Sequence, residues 1–336
     1  IIIILKLYKF IVLLHSLNLF IGGKMKDSKV ILVGDGAVGS SFAYASIILG
    51  IGRELGIIDI NEDKAYGDAM DLSDVLSFTN PKNIYKADYS DCKDAEVVVI
   101  TAGIAQKSGE SRLDLIEKNL KIFKDMIDQI VASGFDGIFL VASNPVDVLT
   151  YATWKYSKFP ANKVIGTGTT LDSSRFKKEI ANLIGIDPRS VEAFIMGEHG
   201  DSEFAVWSHT NVGGMPLYEW VKSHGETDEK ELLDTFEKVK NAAYEIIDKK
   251  GATFYGIGMA LARIVEAIIN DQNSVFSTSS YLDGEYGLKD IFIGAPSVIG
   301  KNGVKWVLEV PLTDTENERM KESAKTLREI IDKAGI

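Results

Sequence analysis

Four side chains in this sequence have the types and spacing for acid–base and anion chemistry: His199, Asp172, Arg175 and Arg112. His199 lies in Met196–Ser202, MGEHGDS, just after an apolar run and between Gly197 and Gly200. Backbone holds a histidine in such a turn, and a cleft can reach it, although most turn histidines merely face solvent. Asp172 shifts that balance. It heads a helical segment in the same half of the chain, and an Asp–His pair fixes the imidazole tautomer and raises its pKa. Such a pair can give or take a proton in catalysis. Arg175 is three residues from Asp172 and shares its helix face. Its planar fork suits a carboxylate ligand, and equally an intrahelical surface ion pair; spacing leaves both open. Arg112 ends the polar stretch IAQKSGESR, 104–112, whose polarity and Gly109 suit a lid. A lid arginine stabilises charge on a substrate oxygen. The alternative is a solvated first-turn residue, at the helix end where the dipole disfavours a cation.

A second constellation binds rather than reacts. Lys29–Ser40, KVILVGDGAVGS, places Gly34, Gly36 and Gly39 as G-x-G-x-x-G after a β-branched run and before a helix. One glycine allows the tight turn, one lets backbone approach a pyrophosphate, and one lets helix and strand pack closely. The helix N-terminus offers free N–H groups and partial positive charge to that anion. A second strand, Gly56–Ile60, carries Asp59, twenty residues beyond Gly39. A carboxylate there accepts from adenosine ribose hydroxyls and repels a 2′-phosphate, so the cofactor expected is NAD. With a nicotinamide in the cleft, the His199 proton is the one that would accompany hydride transfer.

The elements that must position these residues follow from composition and periodicity. The chain has 336 residues, 46% apolar and 25% charged, enough for a large core. A net charge of −11 argues against nucleic acid and anionic membrane surfaces as partners. One cysteine, Cys92, rules out an internal disulfide and fits a reducing compartment such as the cytoplasm. Four scattered histidines and no Cys/His spacing point to no metal. Residues 1–24 differ from the rest. Their apolar run is interrupted by Lys6, Lys9, His15 and Asn18 and fits neither a membrane span nor a signal peptide. We read them as translation extended upstream of Met25, since Ile-Gly-Gly-Lys-Met can be encoded by a purine-rich ribosome-binding site directly before a start codon.

The first half alternates strand and helix, predicting a Rossmann-type doubly wound parallel sheet, with strands at Val30–Val33, Gly56–Ile60, Glu96–Ala102, Gly137–Ala142 and Lys163–Gly166. Leu113, Ile116, Leu120, Phe123, Ile127 and Ile130 recur at helical spacing. Gly34, Asp59, Gly103, Asn144 and Thr167 all lie at strand ends, where ligands collect in such sheets. The second half reads as a mixed α+β domain: a helix at Asp172–Leu183, a strand at Val191–Met196 and helix over Asp228–Asn270 broken at Gly251-Ala252. Short strands follow at Ser274–Tyr281, Ile291–Ile293 and Val304–Val310, with an Asn302-Gly303 turn and a Thr313–Glu316 capping box before the last helix. We divide the chain into an NAD-binding domain, 25–166, and a substrate domain, 167–336.

GDGAVGS, Asp59, TAGIAQKSGESR, ASNPVDVLT, GTGTTLDSSR, MGEHGDS and KKGATFYGIG resemble, in order and spacing, the L-lactate dehydrogenases of the lactate/malate dehydrogenase family, over about residues 25–336. The resemblance implies reversible NADH-dependent reduction of pyruvate to L-lactate by a homotetramer. It makes His199 the proton donor and acceptor, Asp172 its orienting carboxylate and Arg112 the lid arginine that polarises the carbonyl. It makes Arg175 the grip on the substrate carboxylate, with Asn144 and Thr253 beside it. Val38, Asp59, Lys64, Tyr89, Gly103, Ile104, Ser143 and Thr167 match positions lining the NAD site. Malate dehydrogenases usually carry arginine where this chain has Gln106, so a dicarboxylate would bury an unpaired charge and pyruvate fits better. Malate or a broader range of 2-hydroxy acids is the alternative substrate. Bacterial relatives activated by fructose 1,6-bisphosphate use an arginine and a histidine where this chain has Lys177 and Glu192. The glutamate would repel phosphate, so weak or absent activation is expected.

Overall fold

The computed structural model describes residues 28–104, 112–225 and 227–336. Gln106 and residues 1–24 lie outside the described residues, as does the side chain of Arg112. In chain order the first half comprises β1 (Lys29–Val33), α1 (Ala37–Ile48), β2 (Glu54–Ile58), α2 (Glu62–Asp74), β3 (Asn83–Lys86), β4 (Val97–Ile100), α3 (Arg112–Ala132), β5 (Ile138–Val141), α4 (Val146–Ser157) and β6 (Val164–Gly166). The second comprises α5 (Thr170–Ile184), the short strands β7 (Val191–Glu192), β8 (Ile195–Met196), β9 (Phe204–Ala205), β10 (Asn211–Val212) and β11 (Met215–Pro216), then α6 (Leu217–His224), α7 (Glu229–Lys250), α8 (Tyr255–Ile269), β12 (Ser274–Asp283), β13 (Lys289–Gly300), β14 (Gly303–Val307) and α9 (Asp314–Ala334).

Six parallel strands run in the order β3-β2-β1-β4-β5-β6, the doubly wound pattern. Their β-branched, continuously apolar sequences fit because both faces are covered; Val97, Val98, Val99 and Ile100 are all fully buried. The predicted face of α3 holds, with Ile116, Leu120, Phe123, Ile127 and Ile130 buried under the sheet. The strand order reverses between β1 and β4, and the crevice at that switch point is where such sheets take ligands.

The second half departs from expectation in three places. The strands predicted as short are ten and twelve residues long, β12 and β13, and they extend the same sheet antiparallel beyond β6. The sheet thus runs without a break through the two halves. Val191–Met196 is not one strand: β7 pairs with β10, whereas β8 pairs with β9. The hairpin turn is Lys301-Asn302, since Gly303 already pairs with Gly300; at φ +88° Gly303 sits against the Asn162 carbonyl, where no side chain fits. The Thr313/Glu316 capping box forms as predicted, and Met320, Leu327 and Ile331 are buried on α9.

Candidate active site

The turn after β1 is built by close backbone approach. A Cβ at Gly34 would strike the Ala102 backbone, and one at Gly39 would strike the Gly34 carbonyl. Gly36, by contrast, faces open space. It caps α1 without a side-chain hydrogen bond, which leaves the first-turn N–H groups for a ligand anion. Asp59 lies just past the end of β2. One of its oxygens accepts from the Asp35 N–H at 2.6 Å and the other from the Asn61 N–H at 2.9 Å. These contacts aim the carboxylate at the rim of the glycine turn. An open cradle, free helix N–H groups and an oriented carboxylate fit a dinucleotide.

Around that cradle, Lys64 reaches Asp35 at 3.0 Å and Asp68 at 2.5 Å. Burial, with the neighbouring Asp68, pushes the Asp35 carboxyl up to about 7, and Lys64 only partly offsets them. Val38 packs on the core at the start of α1, and Tyr89 is half-buried against the other face of the sheet. Ser143 donates to the Ala102 carbonyl at 2.5 Å, tying the ends of β4 and β5 together. Thr167 is buried just past β6, its N–H donating to Val141. A residue that sequence reasoning missed joins this rim. Asn119, fully buried on α3, accepts from the Ile104 N–H at 2.9 Å and donates to the carbonyls of Ile104 and Asn144. It therefore holds Gly103-Ile104 beside the exposed Asn144. Its signal was a polar residue interrupting the apolar face of α3.

Of the four groups with the types for acid–base and anion chemistry, the structure brings His199, Asp172 and Arg175 together, and the Arg112 side chain lies outside the described residues. Asp172, three residues into α5 and 3% exposed, accepts from His199 Nδ1 at 2.8 Å with one oxygen. Its other oxygen accepts from Arg175 at 2.9 Å, and Arg175 also donates to Thr253 at 3.4 Å. The Asp172–Arg175 pair is intrahelical but not a surface pair, since the two side chains are 5% and 12% exposed. Because Nδ1 is engaged by Asp172, Nε2 remains for a substrate. Asp147 on α4 fixes the turn from below by accepting the His199 N–H at 2.8 Å. Burial pushes the Asp147 carboxyl up to about 6. Burial alone would depress His199, but the negative charge and hydrogen bond of Asp172 win and raise it to about 9. The same partnership, with Arg175, holds Asp172 below its usual range despite its burial.

Sequence reasoning also missed Glu203, whose carboxylate lies 4.0 Å from His199 Nδ1. Asp172, His199 and Glu203 have ligand-type atoms within 4.8 Å of one another. The histidine nitrogen in that cluster is already engaged by Asp172. Among the described residues, no helix is long and apolar enough to cross a membrane.

A half-buried imidazole held in one tautomer beside an arginine is equipped to bind a carboxylate and move a proton. Comparison with known proteins gives the family. A lactate/malate dehydrogenase NAD-binding domain model matches residues 28–166, and an alpha/beta C-terminal domain model of the same enzymes matches 169–335. An L-lactate dehydrogenase of Latilactobacillus sakei (strain 23K) is 63% identical over 91% of this chain and 94% of its own. L-lactate dehydrogenase 1 of Enterococcus faecalis is 60% identical over 93% of this chain and 95% of its own. The crystal structure of a minor L-lactate dehydrogenase from Enterococcus mundtii, ligands bound, superposes with TM-score 0.89 at 50% identity, covering 91% of this chain and 98% of that one. MGS-M5, a lactate dehydrogenase from a deep-sea metagenome library, superposes with TM-score 0.91 at 47% identity, covering 92% and 99%.

Proposed function

The chain belongs to the lactate/malate dehydrogenase family, and from that premise we propose that it is an L-lactate dehydrogenase reducing pyruvate reversibly to L-lactate at the His199 site. It is an NAD-dependent oxidoreductase. Gly34, Gly36, Val38 and Gly39 would hold the cofactor diphosphate and Asp59 its adenosine ribose. Lys64, Tyr89, Gly103, Ile104, Ser143, Asn144 and Thr167 line the remainder. NAD supplies the hydride acceptor and donor. Arg175 binds the substrate carboxylate with its free donors, and Asn144 and Thr253 flank it. His199, charged, gives the proton on Nε2 to the substrate oxygen, and takes it back in the reverse direction. Asp172 holds the ring and stabilises its charge. Arg112 polarises the carbonyl as the lid excludes water.

One observation carries this reading: a single buried carboxylate orients both the proton carrier and the carboxylate-binding arginine. Gln106 supports pyruvate over oxaloacetate, because an amide leaves a second substrate carboxylate unpaired. We further propose a cytoplasmic homotetramer with an NAD-binding domain at 25–166 and a substrate domain at 167–336. Exposed Tyr44 and Ile48 on α1, Tyr66 and Met70 on α2, and Tyr255 and Met259 on α8 support association, as apolar surface for a second copy.

The test is NADH oxidation with pyruvate, oxaloacetate and 2-oxobutyrate side by side. Pyruvate is expected to give the highest kcat/KM, and Gln106→Arg to move preference towards oxaloacetate. Equal rates with oxaloacetate in the unsubstituted enzyme would overturn the assignment.

A further inference from the structure

The His199 site contains more buried charge than the reaction scheme uses. Asp172 serves two cations at once, His199 with one oxygen and Arg175 with the other. One negative charge therefore faces two positive ones whenever the imidazole is protonated, in a place where Asp172 and Arg175 are nearly withdrawn from water. An uncompensated buried charge is costly, so a further anion close to the ring stabilises its charged form. Glu203 is that anion. It lies four residues after His199 on the same turn, its side chain only 6% exposed, with Oε2 4.0 Å from Nδ1.

We propose that Glu203 is a positioning residue that completes the charge set behind His199, so that two carboxylates, Asp172 and Glu203, balance the imidazolium and Arg175. This rests on the dehydrogenase reading of the site. With His199 charged and both carboxylates ionised these four groups sum to zero, and Asp147, which accepts the His199 N–H, adds negative charge beneath the ring. Burial together with the negative charge of Asp172 pushes the Glu203 carboxyl up to about 8, although the positive charges of His199 and Arg175 draw it part of the way back. Other charges face it from each neighbouring element. Arg175 on α5 and Lys240 on α7 favour its ionised form, and Asp147 lies beneath His199 on α4. Its outer side lines a cavity of about 950 Å³, across which α7 presents Asp234, Glu237 and Lys240 and α9 presents Glu316, Arg319 and Glu322. These flanking charges are mixed in sign, so none replaces the carboxylate at His199.

The experiment compares the full-length enzyme with Glu203→Gln and Glu203→Asp. The pH dependence of His199 carbethoxylation by diethyl pyrocarbonate is read against a His199→Asn blank, and kcat/KM for pyruvate is measured across the same range. Carbethoxylation needs the neutral ring, whereas pyruvate reduction needs the charged one. Removing the carboxylate is expected to move both inflections about one pH unit lower. Glu203→Asp should restore most of that shift, and NADH affinity should be unchanged in both variants. Coincident inflections in wild type and Glu203→Gln would overturn the proposal. So would a loss of NADH binding that Glu203→Asp does not mend, which would make the carboxylate a folding element. If the wild type reduces no 2-oxo acid, the dehydrogenase reading fails, and the carbethoxylation profiles still decide what Glu203 does to His199.

Discussion

The two ends of the cleft solve different electrostatic problems. At the nucleotide end the ligand charge is fixed, and the protein answers it mostly with backbone: a glycine turn, the free N–H groups of α1, and Asp59 aimed by the Asp35 and Asn61 N–H groups. Backbone donors bring no charge of their own and need no counter-ion. At the histidine end a group must change its charge in every turnover. There the protein buries side-chain ions against one another, with Asp172, Arg175 and His199 linked at 2.8–2.9 Å and Glu203 behind them. A site that holds a fixed charge can be made of peptide groups, whereas a site that moves a proton needs balanced acids and bases. The first end should therefore govern affinity and the second rate.

The largest effect that could break this division is Asp172→Asn. It leaves the shape of the site but removes the anion shared by His199 and Arg175. We expect kcat for pyruvate to fall by about 10²–10⁴-fold, the usual worth of a positioned acid–base group, while NADH affinity stays near wild type. Fluorescence titration with NADH beside steady-state kinetics checks both. Loss of NADH binding would mean that the two ends are not separable.

Asp59→Ser is the converse test, with a smaller effect. Removing a charged acceptor costs about 1.5–3 kcal/mol, so NADH is expected to bind about 10–100-fold more weakly. NADPH should lose much less, because the carboxylate that repels its phosphate is gone. At saturating NADH, kcat should hold. A fall in kcat equal to that in affinity would place Asp59 in the chemistry and sink the comparison.

The same contrast explains what was legible beforehand. The nucleotide end is written in adjacent residues: three glycines within six positions, a β-branched run before them and an acid after the next strand. Local spacing is enough when backbone conformation does the work. The histidine end joins residues 27 and 78 positions apart, as the His199–Asp172 and Arg175–Thr253 contacts show. Motif order pointed to those pairs, but Glu203 was invisible because an acid in a polar turn looks solvated until the fold buries it. Asn119 was hidden differently, since one amide on an apolar helix face carries no sign of the two backbone segments it joins. The extension of the sheet by β12 and β13 was missed in part because Ser277, Thr278, Ser279 and Ser280 are polar by type. All four are buried, with Ser277 donating to the Ile195 carbonyl and Ser280 accepting from Ser297.

The smallest effect concerns charges at the outer face of α5, where Lys177 pairs with Glu192 at 3.0 Å. These are the positions at which the family resemblance places the bisphosphate-binding arginine and histidine. The pair is largely exposed and worth at most about 1 kcal/mol, so it does not itself block a competing anion. What it removes is net charge. A phosphate approaching Lys177 meets an ammonium already neutralised and a carboxylate that repels it, where two cations would attract. Fructose 1,6-bisphosphate at millimolar concentration is therefore expected to change the pyruvate KM by less than about twofold, a free-energy difference below about 0.4 kcal/mol. Glu192→Gln should open a small response by uncovering Lys177, and leave kcat and NADH affinity unchanged. A large drop in KM in the unsubstituted enzyme would show that sugar phosphate binds through other cations, and that the exposed face of α5 is coupled to the buried charges at its N-terminal end.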